Sequence, residues 1–216
     1  MPIEELGESG VNLNAVSDYY DERLSLYGPT PLGVDWRDTH VQHLRFEQLI
    51  RIVDGDSAHF SVCDLGCGYG AFLNFMEERF QSFSYKGIDI SAEMISVANS
   101  LFGSRPHVKF IQGTSLDCLV DYVVASGIFS VRLENQSSDW LSYLLSTLEH
   151  MNASSLKGFA FNCLTQYSDE DKMRDDLYYA DPFYLFDFCK RNFSRHVALL
   201  HDYGLYEFTI LVRKNI

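Results

Sequence analysis

Few folds accommodate the run Phe60-Ser-Val-Cys-Asp-Leu-Gly-Cys-Gly-Tyr-Gly70. Its first half is short, apolar and rich in strand formers, as expected of a buried strand. Its second half alternates glycine with other residues, and a helical pattern opens at Ala71. Glycine takes positive φ without a Cβ penalty and lets a ligand approach the backbone closely. A helix start after such a turn brings unpaired N–H groups and the positive dipole end toward it. The G-x-G-x-G spacing differs from the G-x-G-x-x-G of dinucleotide-binding turns.

A second feature sharpens the reading. Tyr85-Lys-Gly-Ile-Asp-Ile90 is a β-rich run ending near Asp89, nineteen positions after Gly70. An acid about 20 residues past a glycine turn is placed to accept both hydroxyls of a ribose. Ser91 is then a good N-cap for the helix that follows. Together, Asp64-Leu-Gly-Cys-Gly-Tyr-Gly70 and Gly87-Ile-Asp-Ile-Ser-Ala-Glu-Met-Ile95 resemble the class I S-adenosylmethionine-dependent methyltransferases.

That resemblance covers about Phe60 to Lys214 and implies S-adenosylmethionine as cofactor, with S-adenosylhomocysteine as product. It implies that Gly66, Cys67, Gly68 and Gly70 lie near the methionine part of the cofactor, and that Asp64 holds the turn. Asp89 takes the ribose, and Ile90 and Met94 pack the adenine; plain core packing is the alternative for Met94. Many members carry an acid after the third strand, but this chain has Gln112-Gly-Thr-Ser115, so Gly113, Thr114 and Ser115 are the candidates there. After the fourth strand, where in the family the transferred methyl meets its acceptor, Ser126 and Gly127 are the cofactor-binding candidates; a simple strand-ending turn is the alternative. No Asn/Asp-Pro-Pro-Tyr signature of DNA amino methyltransferases follows that strand.

Strand-like segments at Phe60–Leu65, Ser84–Asp89, His107–Gln112, Tyr122–Ser126 and Gly158–Leu164 alternate with helical ones at Ala71–Phe80, Ala92–Leu101, Ser138–Met151 and Pro182–Asn192. Such alternation predicts a mostly parallel sheet covered on both faces. His196–His201 and Glu207–Arg213 are separated by four residues and predict an antiparallel hairpin. The family likeness implies a Rossmann-like α/β fold with seven strands in the order 3-2-1-4-5-7-6. Helical patterns at Ser17–Tyr27 and Thr39–Val53, separated by the breaker Gly28-Pro-Thr-Pro-Leu-Gly33 and ended by a second breaker, Asp54-Gly-Asp-Ser57, predict an N-terminal helical lid over residues 1–55. The methyltransferase domain then occupies residues 56–216.

The formal charge is −13, which opposes capture of nucleic acid or an anionic membrane and favours a small-molecule acceptor. No apolar run approaches membrane-spanning length and no signal-like start is visible. Cys63, Cys67, Cys118, Cys163 and Cys189 form no metal-ligand spacing and are expected reduced, in a cytoplasmic protein. No metal is expected, and monomer and homodimer both stay open.

In lid-bearing members an Arg pairs with the cofactor carboxylate, which implies that role for Arg45; a surface Arg is the alternative. Trp36 is expected to line the lid, with Arg132, Tyr178, Tyr179 and Tyr203 shaping an acceptor pocket. His201 is the candidate general base, since its ordinary pKa lies near neutrality; a turn histidine is the alternative. The charged run Asp169–Asp176 lacks the glycine of an EF-hand loop and is expected to be a solvated face or flap. Two other readings stand beside methyl transfer. One is an NAD(P)-dependent oxidoreductase, opposed by the glycine spacing and the lack of a Tyr-x-x-x-Lys pair. The other is a non-catalytic S-adenosylmethionine-binding module.

Overall fold

The structure, a computed structural model, describes residues 10–53, 59–117 and 119–214. Its centre is one mixed sheet of eight strands: β1 (Phe60–Leu65), β2 (Phe83–Asp89), β3 (Val108–Gln112), β4 (Val120–Ala125), β5 (Ser155–Thr165), β6 (Tyr179–Ala180), β7 (His196–Leu200) and β8 (Glu207–Arg213). The order is β3-β2-β1-β4-β5-β8-β7, with the two-residue β6 pairing the end of β5. The pairings from β3 through β5 are parallel, and β8 runs antiparallel to both β5 and β7. This is the Rossmann-like methyltransferase order predicted above. The extra short strand β6 makes eight strands instead of seven and shifts the numbers of the terminal hairpin.

Among the described residues six α-helices cover the sheet: α1 (Leu13–Tyr27), α2 (Thr39–Ile50), α3 (Ala71–Glu77), α4 (Ala92–Phe102), α5 (Ser137–Ser154) and α6 (Pro182–Asn192). Side chains alternate across the strands. Val62, Val124, Ala160 and Leu211 face a core with Phe46, Leu49, Phe72 and Phe75 of α2 and α3. Cys63, Val123, Phe161 and Ile210 face the opposite core with Leu144, Leu148 and Leu185 of α5 and α6. The central strands are buried on both faces, as parallel strands must be.

Local chemistry sets the helix starts. Asn12, Asp38, Ser91 and Asp181 each accept a backbone N–H of the first turn, and Pro182 stands at the first position of α6. The first helix starts four residues before the predicted Ser17 because Asn12 caps it. The second ends at Ile50 and continues as a 3₁₀ turn, Arg51–Val53; the predicted breaker at 54–57 lies outside the described residues, as does Cys118. Among the described residues, no helix is long and apolar enough to cross a membrane.

Candidate active site

Because β1, β2, β3 and β4 run parallel, their carboxyl ends meet at one edge, where α/β sheets bind ligands. A cavity opens there, with about 1050 Å³ of empty space counted out into the solvent at its mouth. Its floor is the turn after β1. Gly66 has φ +75°, and a Cβ there would lie 2.1 Å from Ile128 Cγ2, so only glycine fits. The Gly66 and Cys67 N–H groups both donate to the Ile88 carbonyl, at 2.7 and 3.1 Å. Gly68 N–H donates to Asp89 Oδ2 at 2.8 Å, while Ser91 N–H donates to Asp89 Oδ1 at 2.9 Å. Asp89 therefore ties the glycine turn to the start of α4. The turn's first three donors are committed inside the protein.

Asp64 is 2 % exposed and accepts the Tyr85 hydroxyl at 2.6 Å. Burial pushes its carboxyl up to about 7; the Tyr85 hydrogen bond lowers it and the charge of Asp89 raises it. Burial raises Asp89 as well, against the lowering effect of the Ser91 and Gly68 N–H groups.

The outer walls come from helices in i, i+3 or i, i+4 sets. Helix α1 contributes Leu13, Val16 and Tyr20, α2 contributes Gln42 and Phe46, and α5 contributes Tyr143 and Thr147. Val34 and Trp36, between α1 and α2, complete the cover. Trp36 lies against the turn after β4: Gly127 has φ +80°, and a Cβ there would sit 3.1 Å from Trp36 Cζ2. The Gly127 N–H donates to Asn162 Oδ1 of β5 at 2.7 Å.

The cavity thus brings together Trp36, Asp64, Gly66, Cys67, Gly68, Asp89, Ile90, Met94, Gly113, Thr114, Ser126 and Gly127. It does not bring in the other sequence candidates. Gly70 caps α3, where a Cβ would strike the Phe102 ring at 2.9 Å, so its role is packing. Ser115 donates to Asp117 at 2.8 Å on the surface. Arg45 is buried and sends its fork to Glu207 of β8, with Nε 2.9 and 2.8 Å from the two carboxylate oxygens, and lies 4.9 Å from the Trp36 ring. It is not available to a cofactor carboxylate. Arg132 is spent on the carbonyls of Leu133, Asn135, Asp175 and Leu177, sewing two loops together.

Tyr178 packs into the α5–α6 core, the Tyr179 hydroxyl accepts the Arg174 N–H at 2.9 Å, and Tyr203 pairs with Thr209 at 3.1 Å. His201 follows the edge strand β7, four strands from β1, or roughly 19 Å at ordinary strand spacing. It lies between the rings of Tyr167 and Phe208, so it is not poised as a base at this cavity. The charged run holds a 3₁₀ turn (Glu170–Lys172) and then Arg174, which contacts Asp35 at 3.2 Å and also binds Asp176.

A methyltransferase domain family matches residues 62–157. A Mycobacterium tuberculosis protein named as a methyltransferase is 57 % identical over 155 residues, covering 72 % of this chain and 93 % of that protein. The chain belongs to the class I S-adenosylmethionine-dependent methyltransferases. More distant is the malonyl-acyl-carrier-protein O-methyltransferase of Halalkalibacterium halodurans, 24 % identical over 53 % of this chain and 44 % of that enzyme. The magnesium protoporphyrin IX methyltransferase of Synechocystis shares the fold with a TM-score of 0.66 at 14 % identity, over 94 % of this chain and all of that one. The N-methyltransferase NodS of Bradyrhizobium japonicum gives 0.66 at 15 % identity, over 93 and 98 %.

Around this cavity, sequence reasoning missed Tyr20, Gln42, Tyr143, Thr147 and Asn162. For Gln42 and Thr147 a signal exists: each is a polar residue on an otherwise apolar helix face, four positions from an aromatic that also lines the cavity. Asn162 carries none, since it is a lone polar residue inside the apolar run 159–164.

Proposed function

We propose that this chain transfers a methyl group from S-adenosylmethionine to a small-molecule acceptor. The observation that carries the reading is the cavity at the carboxyl ends of β1, β2 and β4, which joins the Gly66–Gly68 turn to Asp89. The residues fit the cofactor. A carboxylate offers about four acceptor positions and Asp89 has committed two, leaving capacity for a pair of ribose hydroxyls. Ile90 and Met94 flank it with apolar surface, and Gly113, where a Cβ would meet nothing within 4 Å, leaves room beside Thr114.

When bound, the cofactor supplies an electrophilic methyl on a sulfonium. The chain's own part is alignment. Asn162 fixes the Ser126–Gly127 turn, and Trp36 closes over it, so an acceptor entering there is confined beside that turn. In-line displacement gains much of its rate from such positioning. A dedicated base is therefore not required, in keeping with the place of His201. The −13 charge supports a small molecule over nucleic acid, and the buried cysteines fit a reducing cytoplasm.

Isothermal titration with S-adenosylhomocysteine tests the reading. The wild type is expected to bind with a Kd in the micromolar range and Asp89→Ala to lose about tenfold or more, because two N–H groups and the ribose lose one acceptor. A wild type giving neither heat nor thermal shift overturns it, and NADH is the next ligand to titrate.

A further inference from the structure

Of the described side chains lining the cavity, the only ionisable acids or bases outside the tyrosines and cysteine are Asp64 and Asp89, both at its floor. Every Lys, Arg and His of the chain lies among the described residues, and none lines the cavity. The nearby cations are already committed. Arg45 is held by Glu207, Arg23 by Asp35 and the Leu32 carbonyl, and Arg174 by Asp176 and Asp35. The cover instead presents rings and aliphatic surface: Tyr20, Val34, Trp36, Phe46, Ile128 and Tyr143. Its polar groups are few and neutral, chiefly Gln42, Ser126 and Thr147.

Resting on the methyl-transfer reading, we propose that the acceptor is an uncharged, flat aromatic molecule that stacks beside Trp36 at the Ser126–Gly127 turn, and that carboxylates and phosphates are rejected. The physical reason is desolvation. An acceptor anion entering beside the bound cofactor gives up water and meets no guanidinium, ammonium or imidazolium of the chain in exchange, and a buried unpaired charge is costly. Apart from the cofactor's own groups, the charges it approaches are carboxylates, Asp89 and, when ionised, Asp64. A cationic acceptor fares no better at the cover, because the Trp36 ring already carries Arg45 at 4.9 Å. A neutral ring loses little water and gains contact with the aromatic walls. The nucleophilic hydroxyl or amine of such a ring finds a hydrogen-bonding partner in Ser126.

Three probes of one shape test this on the wild type saturated with S-adenosylhomocysteine: 2-naphthol, 2-naphthoate and 2-naphthylmethylammonium. Binding is read by titration calorimetry and by quenching of tryptophan fluorescence. The chain has two tryptophans, and Trp140 is fully buried with its indole N–H on the Phe129 carbonyl, so quenching reports Trp36. The expected result is that naphthol quenches and binds about tenfold or more tighter than either charged probe. Naphthoate or the ammonium binding as well as naphthol, or no naphthol binding by a protein that does bind S-adenosylhomocysteine, overturns the proposal while leaving the methyl-transfer reading in place. Failure of the S-adenosylhomocysteine titration itself removes the reading on which it rests.

Discussion

Asp64 and Asp89 line the same cavity from adjacent strands, yet their surroundings set them different tasks. Asp89 spends both oxygens on backbone N–H groups, which favour its charged form against burial. Asp64 has one hydroxyl partner, Tyr85, and is pushed up to about 7. An acid whose folded-state pKa lies above its unfolded value binds its proton more tightly when folded. That stabilisation is complete below the unfolded pKa, near 4, and is lost as pH rises through the folded value near 7. The wild type is therefore expected to lose about 2–3 kcal/mol of unfolding free energy from this group between pH 5 and pH 8, while Asp64→Asn shows little of that slope. Urea unfolding at the two pH values checks this; equal slopes in the two proteins count against it. That Asp64, Gly66 and Asp89 lie together at the cavity was legible because their pattern is local, a turn and an acid at set spacing. Arg45 was misread because its partner lies 162 positions away, where no local pattern points.

Between elements, that same ion pair joins α2, which covers the cavity, to the start of β8. Arg45 and Glu207 are both buried, and Arg45 also donates to the Val41 carbonyl at 3.0 Å. Breaking such a pair leaves one charge buried alone, whereas replacing both partners with apolar groups removes the desolvation cost along with the attraction. Glu207→Ala is expected to destabilise by about 3–5 kcal/mol, and Arg45→Met combined with Glu207→Met to recover most of that loss. Denaturant unfolding of the single and double variants reads it, and a double variant no better than the single one refutes the account. Element boundaries were legible where capping is explicit: Asp181 and Pro182 set the start of α6 at the expected residue. The strand β6 was not, because two residues carry no period, and Tyr179–Ala180 become a strand only by pairing with Leu164–Thr165.

At the scale of the molecule, the cavity is covered by pieces drawn from distant parts of the chain. Helix α1 docks on α4, where the Ser91 hydroxyl bonds Asp21, and at its start the Asn12 N–H donates to Asn135 at 2.7 Å. A third tie joins the Asp169–Asp176 segment to the α1–α2 connection. Arg174 contacts Asp35 at 3.2 Å, and the Tyr19 hydroxyl donates to the same carboxylate at 2.7 Å. Tyr19 neighbours Tyr20, whose ring lines the cavity, so this tie bears on the cover itself. If ligand leaves by displacement of α1, weakening the tie speeds release. Arg174 is about half-exposed, and exposed ion pairs contribute about 0.2–1 kcal/mol, so Arg174→Ala is expected to raise the dissociation rate of S-adenosylhomocysteine up to about fivefold. Raising salt is expected to act on the wild type in the same direction, since it screens exposed charges, and to have less effect on the variant. Arg191→Ala, which removes a surface pair with Asp187 on α6, is the control and leaves the rate unchanged. Stopped-flow tryptophan fluorescence measures all three proteins. A dissociation rate indifferent to both Arg174 and salt would show that ligand exchange takes a path that leaves this tie intact.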